Sequence, residues 1–282
     1  MPTVRSPAVA GRFYESSPQR LRTSLESCFL HRLGPGALPA PVAAGPRRLL
    51  GLVCPHAGFV YSGPAAAFAY AALAADGRPG TAVLLGTNHH LLGPPISLDS
   101  AGHWRTPLGE IPVDTELRAR LAASHLVEVD DLAHEQEHSI EVQLPWLQFI
   151  YRATVAICPI LLGRLDRKAV HAFAQLLAGE LSARNVVVIA SSDFSHYVRR
   201  EVARKIDQVA LERIAALEPD GLLEVVAAMG ISMCGAVPVA TMLAAGKELG
   251  ATKGRTLTYY TSGDIAGDTT SVVGYAAVAI ER

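Results

Sequence analysis

A short apolar run that stops at a proline, Leu49-Leu50-Gly51-Leu52-Val53 ahead of Cys54-Pro55, restricts the fold of this chain more than any other stretch. It is apolar at consecutive positions and too short for a core helix, which suits a strand covered on both faces. Similar runs recur at 81–85, 154–162 and 186–190, and alanine-rich or amphipathic stretches at 65–75 and 168–181 lie between them. Ser62 is placed to cap the first of these helices, and Pro64 fits its first turn. Alternation of this kind predicts an α/β fold: a mostly parallel central sheet covered by helices, within one domain spanning 1–282.

The remaining segments fit around that core. A helix is expected over 18–31, then a Pro/Gly-rich surface loop over 34–47. A hairpin or excursion is expected over 96–113, turning at Thr106-Pro107-Leu108-Gly109. Helices are expected over 201–217, 219–229 and 237–249, with closing strands over 256–261 and 271–280.

Of the 282 residues, 50% are hydrophobic and 18% charged, which is enough apolar material for a large core. The net charge is -1 and Lys and Arg form no run, so nucleic acid is excluded as an expected partner. No apolar stretch approaches the ~20 residues that span a bilayer, and the first ten residues lack the pattern of a secretory signal. Cys28, Cys54, Cys158 and Cys234 are widely spaced without a C-x-x-C pair, which points to a reducing, cytoplasmic setting.

In an open parallel sheet, ligands bind beyond the carboxyl ends of the strands. Three predicted strands here run into histidine: Cys54-Pro55-His56-Ala57-Gly58, Gly86-Thr87-Asn88-His89-His90, and Ser191-Ser192-Asp193-Phe194-Ser195-His196. Pro55 stiffens the approach to His56, and Gly58 relaxes the exit. Adjacent residues point in different directions, so only one of His89 and His90 should face the same centre as His56. Asp193 stands three residues before His196, placed either to set the tautomer of that imidazole or to cap a following helix. Glu135-Gln136-Glu137-His138-Ser139-Ile140-Glu141 reads as the start of a helix that restarts near Pro145. Glu137 and Glu141 favour its N-terminus electrostatically, and His138 is the functional candidate in its first turn. Cys234-Gly235 precedes another helix, a position that favours a metal-ligating thiolate, with an inert buried cysteine as the other reading. The polar loop 261–268 is placed to bind substrate or simply to turn, while His31, His103, His125 and His171 are assigned to the surface.

Taken together, these motifs resemble the Memo family, whose prokaryotic members are called AmmeMemoRadiSam system protein B. The likeness rests on the 4–14 segment, Pro55-His56-Ala57-Gly58, Tyr61-Ser62-Gly63, Leu85-Gly86 through His90, Glu137-His138-Ser139-Ile140-Glu141, Ser191 through His196, Cys234-Gly235 with Pro238, and Ser262-Gly263-Asp264 through Gly274-Tyr275. The resemblance implies a fold similar to class III extradiol dioxygenases, which use non-haem Fe(II) held by two histidines and a carboxylate. It also implies His56, His89 and Cys234 as metal ligands, with the first of the paired histidines chosen. Asp193, His196 and His138 then become catalytic pocket residues. Thiolate in place of carboxylate moves the preference toward Fe or Cu, with Zn the alternative, and separates this site from ring cleavage as such. The expected function is a metal-dependent, redox enzyme. The competing expectation is a non-catalytic module that binds an anionic small molecule or a peptide in the same pocket.

Overall fold

Alternate residues of each central strand enter opposite hydrophobic clusters. Leu52 and Cys54 join one and Val53 the other; Ala82 and Leu84 join one, Val83 and Leu85 the other; Val187 and Ile189 are likewise separated from Val188 and Ala190. The period-two alternation of side chains across a strand thus gives a sheet with two apolar faces. The computed structural model describes residues 3–152 and 154–282.

Among these residues the sheet has nine strands, ordered His196–Val198, Val272–Glu281, Leu49–Cys54, Val186–Ser191, Thr81–Thr87, Ala156–Leu162, Ile96–Leu98 and Glu128–Val129, with Lys253–Thr261 paired to Val272–Glu281. The inner four, from Leu49–Cys54 to Ala156–Leu162, are parallel, and the antiparallel pairings lie outside them. One face is covered by helices Pro18–Leu30, Phe59–Asp76 and Leu144–Tyr151, the other mainly by Arg167–Leu181, Arg200–Ala215 and Ala236–Glu248. The expected excursion is a hairpin, His103–Thr106 with Gly109–Pro112, which joins Val4–Arg5 in a separate three-stranded sheet. Among the described residues, no helix is long and apolar enough to cross a membrane.

Two local expectations differ from the structure. The alanine-rich helix begins at Phe59 rather than after Ser62. Phe59 N–H donates to Phe13 O, and the Ser62 hydroxyl donates back to Ala57 O at 2.7 Å instead of capping an N–H. His138 is not in the first turn of a helix: helix Asp131–Glu135 ends before it, and regular structure resumes only at Glu141–Gln143, leading into Leu144–Tyr151 with Pro145 in its opening turn. The reason is that both acidic side chains are used elsewhere. Glu141 is fully buried and takes hydrogen bonds from Ala8 N, Val9 N and the Tyr14 hydroxyl while pairing with Arg5, so it fastens the N-terminal segment to the core. Glu137 is equally enclosed and turns toward the sheet.

Candidate metal centre

Leu49–Cys54, Val186–Ser191 and Thr81–Thr87 are neighbours in the sheet, and the chain leaves their carboxyl ends into His56, Asp193 and His89 respectively. Chain order is reversed across this point: the first and second strands in sequence flank the later one, which opens a crevice where the loops part. Cys234 comes from the far side of the sheet, immediately before helix Ala236–Glu248. Three contacts hold its loop down. Thr87 Oγ1 donates to Cys234 O at 3.0 Å, Gly235 N to Ser192 Oγ at 3.0 Å, and Asp193 N to Cys234 Sγ at 3.3 Å.

The structure brings His56, His89 and Cys234 together, with one donor atom of each lying within 4.8 Å of the others. His56 Nε2 is 3.1 Å from Cys234 Sγ. Its other nitrogen, Nδ1, is 2.9 Å from Ser191 Oγ. His89 Nδ1 is 2.9 Å from Glu137 Oε1, and the same carboxylate also accepts from His89 N at 2.7 Å and from His138 N and Ser139 N at 2.8 Å. These bonds outweigh burial and hold the Glu137 carboxyl well below the usual carboxylate range. A carboxylate behind one imidazole and a hydroxyl behind the other, each on Nδ1, is how ligating histidines are oriented for a metal on Nε2. Two imidazoles and a thiol are donors for iron, copper or zinc rather than for hard cations, so the residues present fit such an ion.

Electrostatics separate the pocket residues. Burial, together with the neighbouring His138 and His89 imidazoles, holds His56 far below the ordinary histidine pKa. Burial also lowers His138 to about 4, although Glu137 opposes it, so its ring is neutral at pH 7. The ring of His138 stacks on His89 with centroids 4.7 Å apart and packs against Phe13 at 4.6 Å. Burial raises Asp193 to about 6. The helix start does not turn Cys234 toward thiolate, and of the two readings the inert buried cysteine describes the metal-free protein: burial, and then the Asp193 charge, push the thiol well up. Desolvation of an anion outweighs a helix dipole here, and only a bound cation would reverse the balance.

Asp193 and His196 both line the cleft, but neither sequence reading of the pair describes them. Asp193 Oδ1 accepts from His56 N at 2.9 Å, so the carboxylate holds the His56 loop; the following helix starts only at Arg200 and has no side-chain cap. His196 lies on a short strand, and its Nδ1 faces Ser232 O at 2.8 Å. That carbonyl requires a proton on Nδ1, so Nε2 is the ring nitrogen left for other partners. His89 and His90 are both exposed, and of the two only His89 lies in the candidate ligand group.

The cleft encloses about 600 Å³. Around the imidazoles it is walled by Phe13, Tyr61, Tyr197, Val273 and Tyr275, with Ser262 and Asp268 from the 261–268 segment, which is not a loop as expected but the short helix Ser262–Ala266 capped by Thr261 and Asp264. A second large cleft, about 540 Å³ beside Arg5 and Asp131, contains none of the histidines. Sequence reasoning missed Glu137 as the partner of His89 and missed His134 altogether. His134 is fully buried, with Nε2 3.1 Å from Ser97 O, and serves packing. Of the histidines assigned to the surface, His125 is exposed and His31, His103 and His171 are half-buried. Gly86 is the overlooked signal for Glu137: a Cβ there would meet Ile140 Cγ1 at 2.5 Å and Ser139 Oγ at 2.6 Å, so only glycine admits the 137–140 loop against the strand end.

Comparison with known proteins agrees with this architecture. The family model described as Memo-like protein matches residues 5–279. MEMO1 family protein MK0963 of Methanopyrus kandleri is 46% identical over 282 residues, covering 99% of each chain. MEMO1 family protein MTH_45 of Methanothermobacter thermautotrophicus is 42% identical over 276 residues, covering 97% of this chain and 99% of its own. Among solved structures, the uncharacterized protein JW3007 from Escherichia coli K12 superposes with a TM-score of 0.52 at 14% identity, covering 83% of this chain and 100% of that one, a likeness of fold alone.

Proposed function

Because this chain belongs to the Memo family, we propose that its histidine cleft is the metal centre of a redox enzyme, with His56, His89 and Cys234 as ligands to iron or copper. The observation that carries this reading is the gathering of two imidazoles and a thiol at one point, with both Nδ1 atoms already engaged elsewhere. A bound Fe(II) or Cu ion would supply electron transfer and open coordination positions.

The chain's own groups then divide the remaining work. His138 is neutral at pH 7, so its ring can accept a hydrogen bond from a ligand in the cleft. His196 offers Nε2 for a second such contact, because its Nδ1 proton is committed to Ser232 O. Asp193 acts through the His56 backbone and sets the height of that ring. The aromatic wall shields the buried His56 side of the cleft, while His89 stays open to solvent. Among the described residues no Lys or Arg lines the cleft, so an anionic ligand would meet no fixed countercharge, which favours the metal reading over an anion-binding module. We take residues 1–282 as one functional unit, and the four free cysteines support a reducing, cytoplasmic location.

The test is the metal content of protein purified without oxygen, set beside a His56→Ala/His89→Ala double variant. Close to one equivalent of iron or copper in the parent and almost none in the variant is expected. Equal, near-zero metal in both would overturn the reading.

A further inference from the structure

The hydrogen bonds behind His56 leave little freedom in where its proton sits. Ser191 Oγ has one proton to donate and two lone pairs to fill. The proton goes to Ser139 O, 2.6 Å away, because a carbonyl can only accept. One lone pair receives Gln143 Nε2–H at 2.8 Å. The Gln143 amide cannot be flipped without loss: Nε2 also donates to Pro55 O at 3.0 Å, and Oε1 accepts from the Tyr70 hydroxyl at 3.0 Å. The remaining lone pair of Ser191 Oγ faces His56 Nδ1 at 2.9 Å. A bare Nδ1 would set two lone pairs against each other in a site where His56, Ser191, Gln143 and Tyr70 are all buried.

We propose that Gln143 and Ser191 are positioning residues that lock His56 in its Nδ1–H tautomer, so that Nε2 is the nitrogen presented to Cys234 and the cleft. The lock is a property of the metal-free protein; only its consequence for metal affinity rests on the function proposed above. The same chain contains an internal contrast. His134 turns Nε2 toward Ser97 O, and its Nδ1 has no partner among the described residues, so its proton belongs on Nε2.

Long-range ¹⁵N–¹H spectra of the imidazoles, recorded on the metal-free full chain near neutral pH, test this directly. His56 is expected to show a protonated, pyrrole-type Nδ1 and an unprotonated, pyridine-type Nε2, and His134 the reverse. Ser191→Ala removes the acceptor and is expected to move His56 toward the Nε2–H form while His134 keeps its pattern as a measure of intact folding. Gln143→Met leaves Ser191 and Ser139 O in place but removes the donor that helps fix the hydroxyl's orientation, so the Nε2–H population of His56 should be smaller than in Ser191→Ala. Zn(II), a redox-inert probe, should bind Ser191→Ala about 10- to 100-fold more weakly than the parent. Nε2–H on His56 in the parent, or an unchanged His56 in Ser191→Ala, overturns the lock. The expected tautomers with no Zn(II) binding by the parent would uphold the lock and overturn the metal reading instead.

Discussion

Replacing Glu137 by Gln changes one atom of a buried carboxylate and should disturb both the centre and the fold around it. Glu137 Oε1 accepts from His89 Nδ1, His138 N and Ser139 N, while Oε2 accepts from His89 N at 2.7 Å. A neutral amide has a single acceptor oxygen. With that oxygen in place of Oε1, the amide NH₂ meets the His89 N–H, donor against donor; flipped, it meets three donors. The cheaper orientation still loses one bond to a charged acceptor and weakens the rest, about 1.5–3 kcal/mol at a site that is almost fully enclosed. Urea unfolding of the metal-free protein should register that loss. His89 would also keep its Nδ1 proton less firmly, and Zn(II) affinity, measured by chelator competition, should fall about 10- to 100-fold. A variant with the parent's unfolding midpoint and a Zn(II) affinity within twofold of the parent's would refute the assignment of Glu137 as the group that orients His89.

Two further outcomes follow from features around the centre. Burial lowers His134 to about 4 against 6.5 for the ordinary group, so the unfolded chain binds more protons between those values. Stability from this residue is complete above pH 6.5 and is lost as pH falls toward 4, by about 3 kcal/mol at 1.36 kcal/mol per unit. His134→Gln, compared with the parent by urea unfolding at pH 7 and pH 4.5, should flatten that dependence; equal slopes would contradict it. Gly235 has an ordinary φ of −96°, so Gly235→Ala acts by contact alone. The new Cβ would overlap Ser191 O and the Ser192 side chain, pushing the Cys234 loop off the strand end. A loss of about 1–3 kcal/mol in thermal unfolding, with weakened Zn(II) binding, is expected; unchanged binding would show that Cys234 does not depend on this contact.

The alternation of apolar runs and helices was legible because it is a local property: a strand buried on both faces must be apolar throughout, and a histidine placed just after it must emerge at the carboxyl end. His56, the His89–His90 pair and the Asp193–His196 loop were read that way, and family resemblance chose His89 and made Cys234 the third expected ligand. The 137–141 segment was misread because its acidic residues match a helix N-terminus equally well, and nothing local reveals that Glu141 is held by Arg5, Ala8, Val9 and Tyr14. Ser62 was misread for the same reason, since a hydroxyl that can cap a helix can also bond backward to a carbonyl.

From the sequence alone came the parallel core, the end of the sheet that carries the site, and the residue types gathered there, because hydrophobic period and chain direction are written residue by residue. Only the tertiary structure decided which nitrogen of each imidazole is free, that Glu137 stands behind His89, and that the Cys234 thiol is pushed up rather than down. Those outcomes depend on groups brought together from far along the chain, 178 residues apart for His56 and Cys234, and on the water that their packing removes.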